Sequence, residues 1–136
     1  MKIRLIRRSD IETIKGFYES DEARNQMYAI PSKDEDIWRY FSENCKTFMV
    51  FQNDSEVAIF SLSKIDGGVG SFGIIVKAEY RGRGMGLEVM KMVEKEAKKM
   101  GIRTLRADVY IDNKASLRML EKANFRPFVW LEKNLY

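Results

Sequence analysis

Polar and apolar positions along this chain follow two different periods, and the changes of period outline its elements. "KIRLIR" at residues 2–7 alternates with the two-residue period of a strand. In "RSDIETIKGFYES", Ile11, Ile14, Phe17 and Tyr18 recur at helical spacing, with Ser9 or Asp10 as N-cap. A loop holding Pro31 leads to "DEDIWRYFSENC", where acids fill the first turn and Ile37, Trp38 and Phe41 share one side, which predicts a second helix. "TFMVFQNDSEVAIFSLSKIDGG" is two apolar runs split by Asn53-Asp54-Ser55, a hairpin signal, and "GSFGIIV" continues as a strand after Gly67-Gly68.

From residue 84 to 100 the apolar positions Leu87, Met90, Val93, Ala97 and Met100 keep helical period, and Gly101 suits the C-cap. "IRTLRADVYI" alternates as a strand, and "NKASLRMLEKANF" gives a short helix ending near Asn124, a residue that tolerates the left-handed conformation. "RPFVWLEKNLY" reads as a closing strand. The order is βααβββαβαβ, an α/β (α+β) class with a mixed, mostly antiparallel sheet flanked by helices. Parallel pairing is expected only between the strands ending at Val76 and Ile111, joined by the 84–100 crossover helix.

Length and composition bound this picture. At 136 residues and 45% hydrophobic content, the chain suits a single domain over 1–136. One Cys makes no internal disulfide and no cysteine zinc cluster, and the absence of His excludes imidazole triads and the usual metal sites, so no metal is expected. No apolar run reaches membrane-span length and the first residues lack a signal-peptide pattern, so the expectation is a cytoplasmic protein with Cys45 reduced and no membrane partner. The net charge of +4 is uneven: residues 77–122 carry 12 bases against 7 acids, while residues 19–36 hold six acids and two bases. An anionic ligand over the second half and a cationic one over the first fit this split, although solvated helix faces give the same pattern.

The segment with distinctive chemistry is "EYRGRGMGLEVM", with three glycines and two arginines inside residues 81–86, directly ahead of a helix. Backbone N–H groups there converge beside the positive end of a helix dipole. Glycines let a bulky anion approach, and Arg81 and Arg83 add charge-assisted bonds, so a phosphate or pyrophosphate is the fitting guest; a tight turn with solvated arginines is the plain alternative. The dinucleotide fingerprint fails at Leu87, where it needs a third glycine, and the P-loop's Gly-Lys-Ser/Thr is absent.

Arg81-Gly82-Arg83-Gly84-Met85-Gly86 resembles the Gln/Arg-x-x-Gly-x-Gly/Ala loop of the GNAT N-acetyltransferase superfamily, and "DNKASLRMLEKANF" is similar to its second signature. The resemblance implies an acetyl-CoA-dependent N-acetyltransferase. Ile74 and Val76 would offer backbone groups to the pantetheine arm, Arg81, Gly82, Arg83, Gly84, Met85 and Gly86 would wrap the pyrophosphate, and Asn113 and Ser116 would meet the arm and the thioester sulfur. As plain alternatives, Asn113 is an N-cap and Ser116 a helix-surface hydroxyl. Leu120 stands where the resemblance implies a Tyr that protonates the departing thiolate in many members; here Ser116 could donate that proton or simply hydrogen-bond the sulfur, with water or solvent as the other proton source. Asn124 replaces the usual Gly.

Direct attack by a neutral amine needs alignment, carbonyl polarisation and two proton transfers, with no metal or enzyme nucleophile. Glu79, Asp108 and Tyr110 are candidate bases. The acceptor, a primary amine on a small molecule or a protein N-terminus, would lie over the first half, where Asp21, Glu22 and Tyr28 could meet it. A non-catalytic acyl-CoA or nucleotide sensor is the rival reading. A nucleic-acid module is disfavoured because Glu88, Glu94 and Glu96 interrupt the basic helix without an aromatic ladder. Assembly as a homodimer is left open.

Overall fold

In a computed structural model, which describes residues 1–18 and 31–136, five strands among those residues form one sheet. They are β1 (Lys2–Leu5), β2 (Lys46–Gln52), β3 (Ser55–Lys64), β4 (Val69–Val76) and β5 (Thr104–Arg106), arranged side by side in chain order. The first three pairings are antiparallel and β4–β5 is parallel. The helices are α1 (Ile11–Tyr18), α2 (Asp34–Ser42), α3 (Met85–Lys99) and α4 (Lys114–Lys122). A parallel pair cannot be closed by a tight turn, and α3 supplies the crossover between β4 and β5. The β2–β3 hairpin turns on Asn53 (φ 50°) and Asp54 (φ 65°), both in the left-handed region favoured by two-residue hairpins.

Strand alternation divides the core into two layers. Phe48, Val50, Phe60 and Leu62 face α3, which returns Met85, Val89, Met90, Val93 and Ala97. Met49, Ile59 and Ile75 face the other way, against Ile11, Ile14 and Phe17 of α1 and Ile37 and Phe41 of α2. The α3 stripe thus runs through Met85 and Val89, with Leu87 only half-buried. At the entry to α1 the cap differs from the sequence expectation. A 3-10 turn (Arg8–Asp10) precedes the helix, and the Asp10 carboxylate reaches back to accept from Arg7 N at 2.6 Å and from both terminal nitrogens of Arg4 at 2.7 and 2.9 Å.

Two expected strands change. β5 is paired only over Thr104–Arg106, so "IRTLRADVYI" contributes three strand residues. The closing strand is not formed: residues 126–136 carry no strand pairing, and Phe128, Val129, Trp130 and Leu131 are exposed. Strand propensity expresses itself only against a partner edge, and Pro127 lacks the N–H that such a ladder uses. Asn124 does adopt the left-handed conformation, at φ 67°. No helix among the described residues is long and apolar enough to cross a membrane.

Candidate active site

β4 and β5 share a ladder for three residues and then part. Val69, Gly70 and Ser71 pair with Thr104, Leu105 and Arg106, after which β4 stays with β3 as far as Val76 while residues 107–110 leave the sheet. The base of this fork is tightly packed, because a Cβ on Gly70 would lie 2.5 Å from Ile102 Cδ1. Above it opens a cleft of about 360 Å3, lined by Ile74, Val76, Arg81, Asp108, Tyr110, Asn113, Ser116 and Leu120 together with residues of α2 and β3. Groups that lie up to 80 positions apart in the chain (Tyr40 and Leu120) are thereby brought to one site.

Of the glycine loop, Arg81 is in the lining of this cleft, while Gly82 to Gly86 follow it into the start of α3 and are not. Gly84 is the N-cap of α3, at φ 74°, and gives the helix no side-chain cap bond, so the N–H groups of the first turn keep no intrahelical partner. Gly82 is also left-handed, at φ 75°, and a Cβ at either position would meet nothing within 4 Å. Arg83 is exposed, whereas Arg81 folds back so that its Nε donates to the Val76 carbonyl at 2.9 Å. That bond ties the loop to the end of β4. Met85 points into the core at 6% exposure, leaving only its backbone for a ligand. Gly86 serves helix packing, since a Cβ there would sit 3.3 Å from Met119 Cγ of α4.

Asn113 caps α4 by accepting from Ser116 N at 3.3 Å, as the plain reading of this residue had it. The same residue lines the cleft, so capping holds it in place there. Ser116 Oγ has no hydrogen bond to the protein among the described residues. Leu120, one turn further, is 7% exposed and makes this wall apolar. Tyr110 is at the rim, half-exposed, and Asp108 is exposed beside it. Glu79 is outside the cleft lining and pairs with Lys77 Nζ at 3.2 Å. Asp21, Glu22 and Tyr28 lie outside the described residues.

Tyr40 of α2, Ser61 and Ser63 of β3, and Ser71 and Gly73 of β4 also line the cleft, and sequence reading did not single them out. A signal was present. β3 is the middle strand, and after the fully buried run Val57, Ala58, Ile59 and Phe60 its alternation becomes Ser61, Leu62, Ser63. A central strand is apolar on both faces when both are covered, so hydroxyls on one face mark where cover is missing. Burial, reinforced by the nearby Cys45, pushes the Tyr40 phenol up and keeps it protonated as a donor.

The comparisons agree with this geometry. A family model described as "Acetyltransferase (GNAT) domain" matches residues 1–126. The uncharacterized N-acetyltransferase YobR of Bacillus subtilis (strain 168) is 33% identical over 84 residues, 61% of this chain and 34% of that protein, so the chain spans about a third of the length of this relative. The GNAT domain of S. lividans PAT superposes with a TM-score of 0.81 at 20% identity, covering 96% of this chain and 84% of that one. The aminoglycoside acetyltransferase AAC(6')-Ib, solved with coenzyme A, gives 0.80 at 15% identity over 92% and 83%. At those identities the two structures speak for the fold alone. The forked β4–β5 pair, the glycine loop opening α3 and the match across 1–126 lead to one conclusion: the chain belongs to the GNAT acetyltransferase domain family.

Proposed function

We propose that the chain, taken over 1–136 as one transferase domain, is an acetyl-CoA-dependent N-acetyltransferase acting on a primary amine in the cytoplasm. The observation that carries this is the cleft at the β4–β5 fork, whose lining includes Arg81 of the glycine loop together with Ile74, Val76, Asn113 and Ser116. The fit to acetyl-CoA rests on three features. Open space stands over Gly82 and Gly84, the first-turn N–H groups of α3 are uncapped, and Arg83 is exposed beside them.

When bound, acetyl-CoA supplies a thioester carbonyl open to attack by a neutral amine. The loop and Arg83 hold the phosphates, and Arg81, through Val76, fixes the loop against the strand. Beyond its pairing with β5, the edge of β4 would offer backbone groups along the arm at Ile74 and at the Val76 N–H, the Val76 carbonyl being held by Arg81. Asn113 spends its side-chain oxygen on Ser116 N and keeps its amide N–H groups for the ligand. Ser116 Oγ–H would donate toward the departing sulfur and regain its proton from water, and Tyr110, at the rim, would relay the amine proton to solvent, its phenol oxygen accepting as its own proton passes to water. Glu22 and Tyr28 remain our proposed acceptor contacts.

The apolar wall at Leu120 favours a second reading, an acyl-CoA sensor that binds without transfer. Thermal melts and free-thiol release over an amine panel separate the two. Acetyl-CoA at about 100 times its Kd should stabilise by about 2.7 kcal/mol. Gly84→Val should remove that shift while lowering the apo melting temperature through left-handed strain of about 1–2 kcal/mol. Stabilisation without thiol release from any amine would favour the sensor.

A further inference from the structure

Away from the cleft, Phe128, Val129, Trp130 and Leu131 follow one another at 82, 85, 79 and 87% exposure, and Leu135 and Tyr136 are exposed beyond them. On an extended chain Phe128 and Trp130 share one face and Val129 and Leu131 the other, the pattern of a strand covered on both sides. Among the described residues, no backbone hydrogen bond holds residues 128–135, and Tyr136 N reaches only Asn134 Oδ1, at 3.3 Å. Three aromatic side chains of about 150–250 Å2 each, with Val129, Leu131 and Leu135 added, exceed the apolar patch of about 300–600 Å2 that a monomer ordinarily exposes. Such a surface marks an interaction site.

The complementary surface is on the same chain. β5 ends the sheet and is paired only on its β4 side, so among the described residues its outer N–H and C=O groups stand open as a template for another strand. Beyond it Ile111 is 83% exposed. Phe125 pins the start of the segment close by, its ring 5.6 Å from that of Phe72, the neighbour of Ser71, which pairs with Arg106. The other open edge, β1, is four strands away. Docking on its own β5 would cover one face of the segment only: Leu105 packs toward α3, while Thr104 and Arg106 on the opposite face are exposed. A second copy supplies the missing cover, and a two-fold axis at this end carries each segment to the other's β5. A lipid surface fits less well, because Arg126 and Lys133 against Glu132 fall short of the cluster of about four to eight bases that anionic membranes attract.

We propose that residues 128–136 of one copy dock along the outer edge of β5 and residues 107–111 of a second copy, and that the two copies exchange these segments about a two-fold axis. Trp130 is the anchor of the segment and Ile111 the apolar contact on the receiving edge. The aromatic side chains of two segments remove about 900–1,500 Å2 from water before the receiving edges are counted, on the scale of the about 1,200–2,000 Å2 in a stable interface. This assignment is independent of the transfer reading above.

Sedimentation velocity of the 136-residue chain from nanomolar to high micromolar concentration, with amide hydrogen exchange over the same range, tests it. A dimer should form, and the amides of 128–135 and of 104–111 should gain protection together as concentration rises. Trp130→Lys and Ile111→Lys should each weaken the dimer about 30-fold or more, the loss expected at a hot-spot residue and at an edge blocked by lysine. Both side chains are exposed in a single copy, so each variant should keep the far-ultraviolet circular dichroism and the urea midpoint of the diluted wild type. A monomer at every concentration, or a dimer that either variant leaves intact, would overturn the assignment. Protection of 128–135 without 104–111 would overturn it too, as would protection independent of concentration, which means docking within one copy. Binding of a monomer to phosphatidylglycerol vesicles through Trp130 would replace it with the membrane reading.

Discussion

The proposed role of Ser116 rests on what its neighbours leave undone. Its backbone N–H is used by Asn113, its hydroxyl has no protein partner among the described residues, and the wall beyond it at Leu120 offers no proton. Ser116→Ala should lower kcat on an accepted amine by about one to four orders of magnitude, the range for a positioned acid. The acetyl-CoA thermal shift should stay within error, and an unchanged kcat with chemistry rate-limiting would reduce Ser116 to a helix-surface hydroxyl. Asn113 and Ser116 were legible in the sequence because a helix start is a local pattern. Their company with Ile74 and Val76 came only from the family resemblance, because it depends on where α4 lands against β4. Glu79 shows the reverse case, a plausible base by position whose carboxylate is engaged with Lys77 away from the cleft.

Among the elements, the tie between β1 and α1 is the one whose strength titrates. Asp10 is 7% exposed, and its bonds from Arg4, then that from the Arg7 backbone, hold its carboxyl below the usual range against the opposing effect of burial. A depressed folded value means that the unfolded chain binds more protons. The stabilisation is therefore complete above the unfolded carboxyl value of about 3.9 and is lost as pH falls through the folded one. Asp10→Asn should be less stable than the wild type by about 1–3 kcal/mol at neutral pH, the scale of a hydrogen bond to a charged group. The gap should narrow toward pH 3, as followed by urea denaturation across a pH series. A gap constant in pH would assign Asp10 a packing role alone. The sequence pointed to Ser9 or Asp10 as a cap in the usual sense. It could not show Arg4 arriving from the neighbouring strand, since β1 reaches that position only when it pairs with β2.

For the molecule as a whole, the fork between β4 and β5 decides where everything else sits. Gly70 lets Ile102 press against the base of the fork, and a side chain there must displace it. Gly70→Val should cost about 1–3 kcal/mol by overpacking and should weaken acetyl-CoA stabilisation as the cleft changes width, both readable from melting curves with and without acetyl-CoA. Lost stability with undiminished binding would separate the base of the fork from the site above it. By itself the sequence determined the type and order of the elements as far as α4, the glycine loop before α3 and the left-handed turn residues, because these follow from periodicity, capping and steric rules acting over a few residues. Tertiary structure decided the rest. It set where β5 leaves β4, turned Arg81 onto Val76 and Gly86 toward Met119, lined up hydroxyls from three strands on one face, and left residues 126–136 without a strand partner. Each of these depends on a second segment being present at a given register, and a strand or a site exists only when that partner arrives.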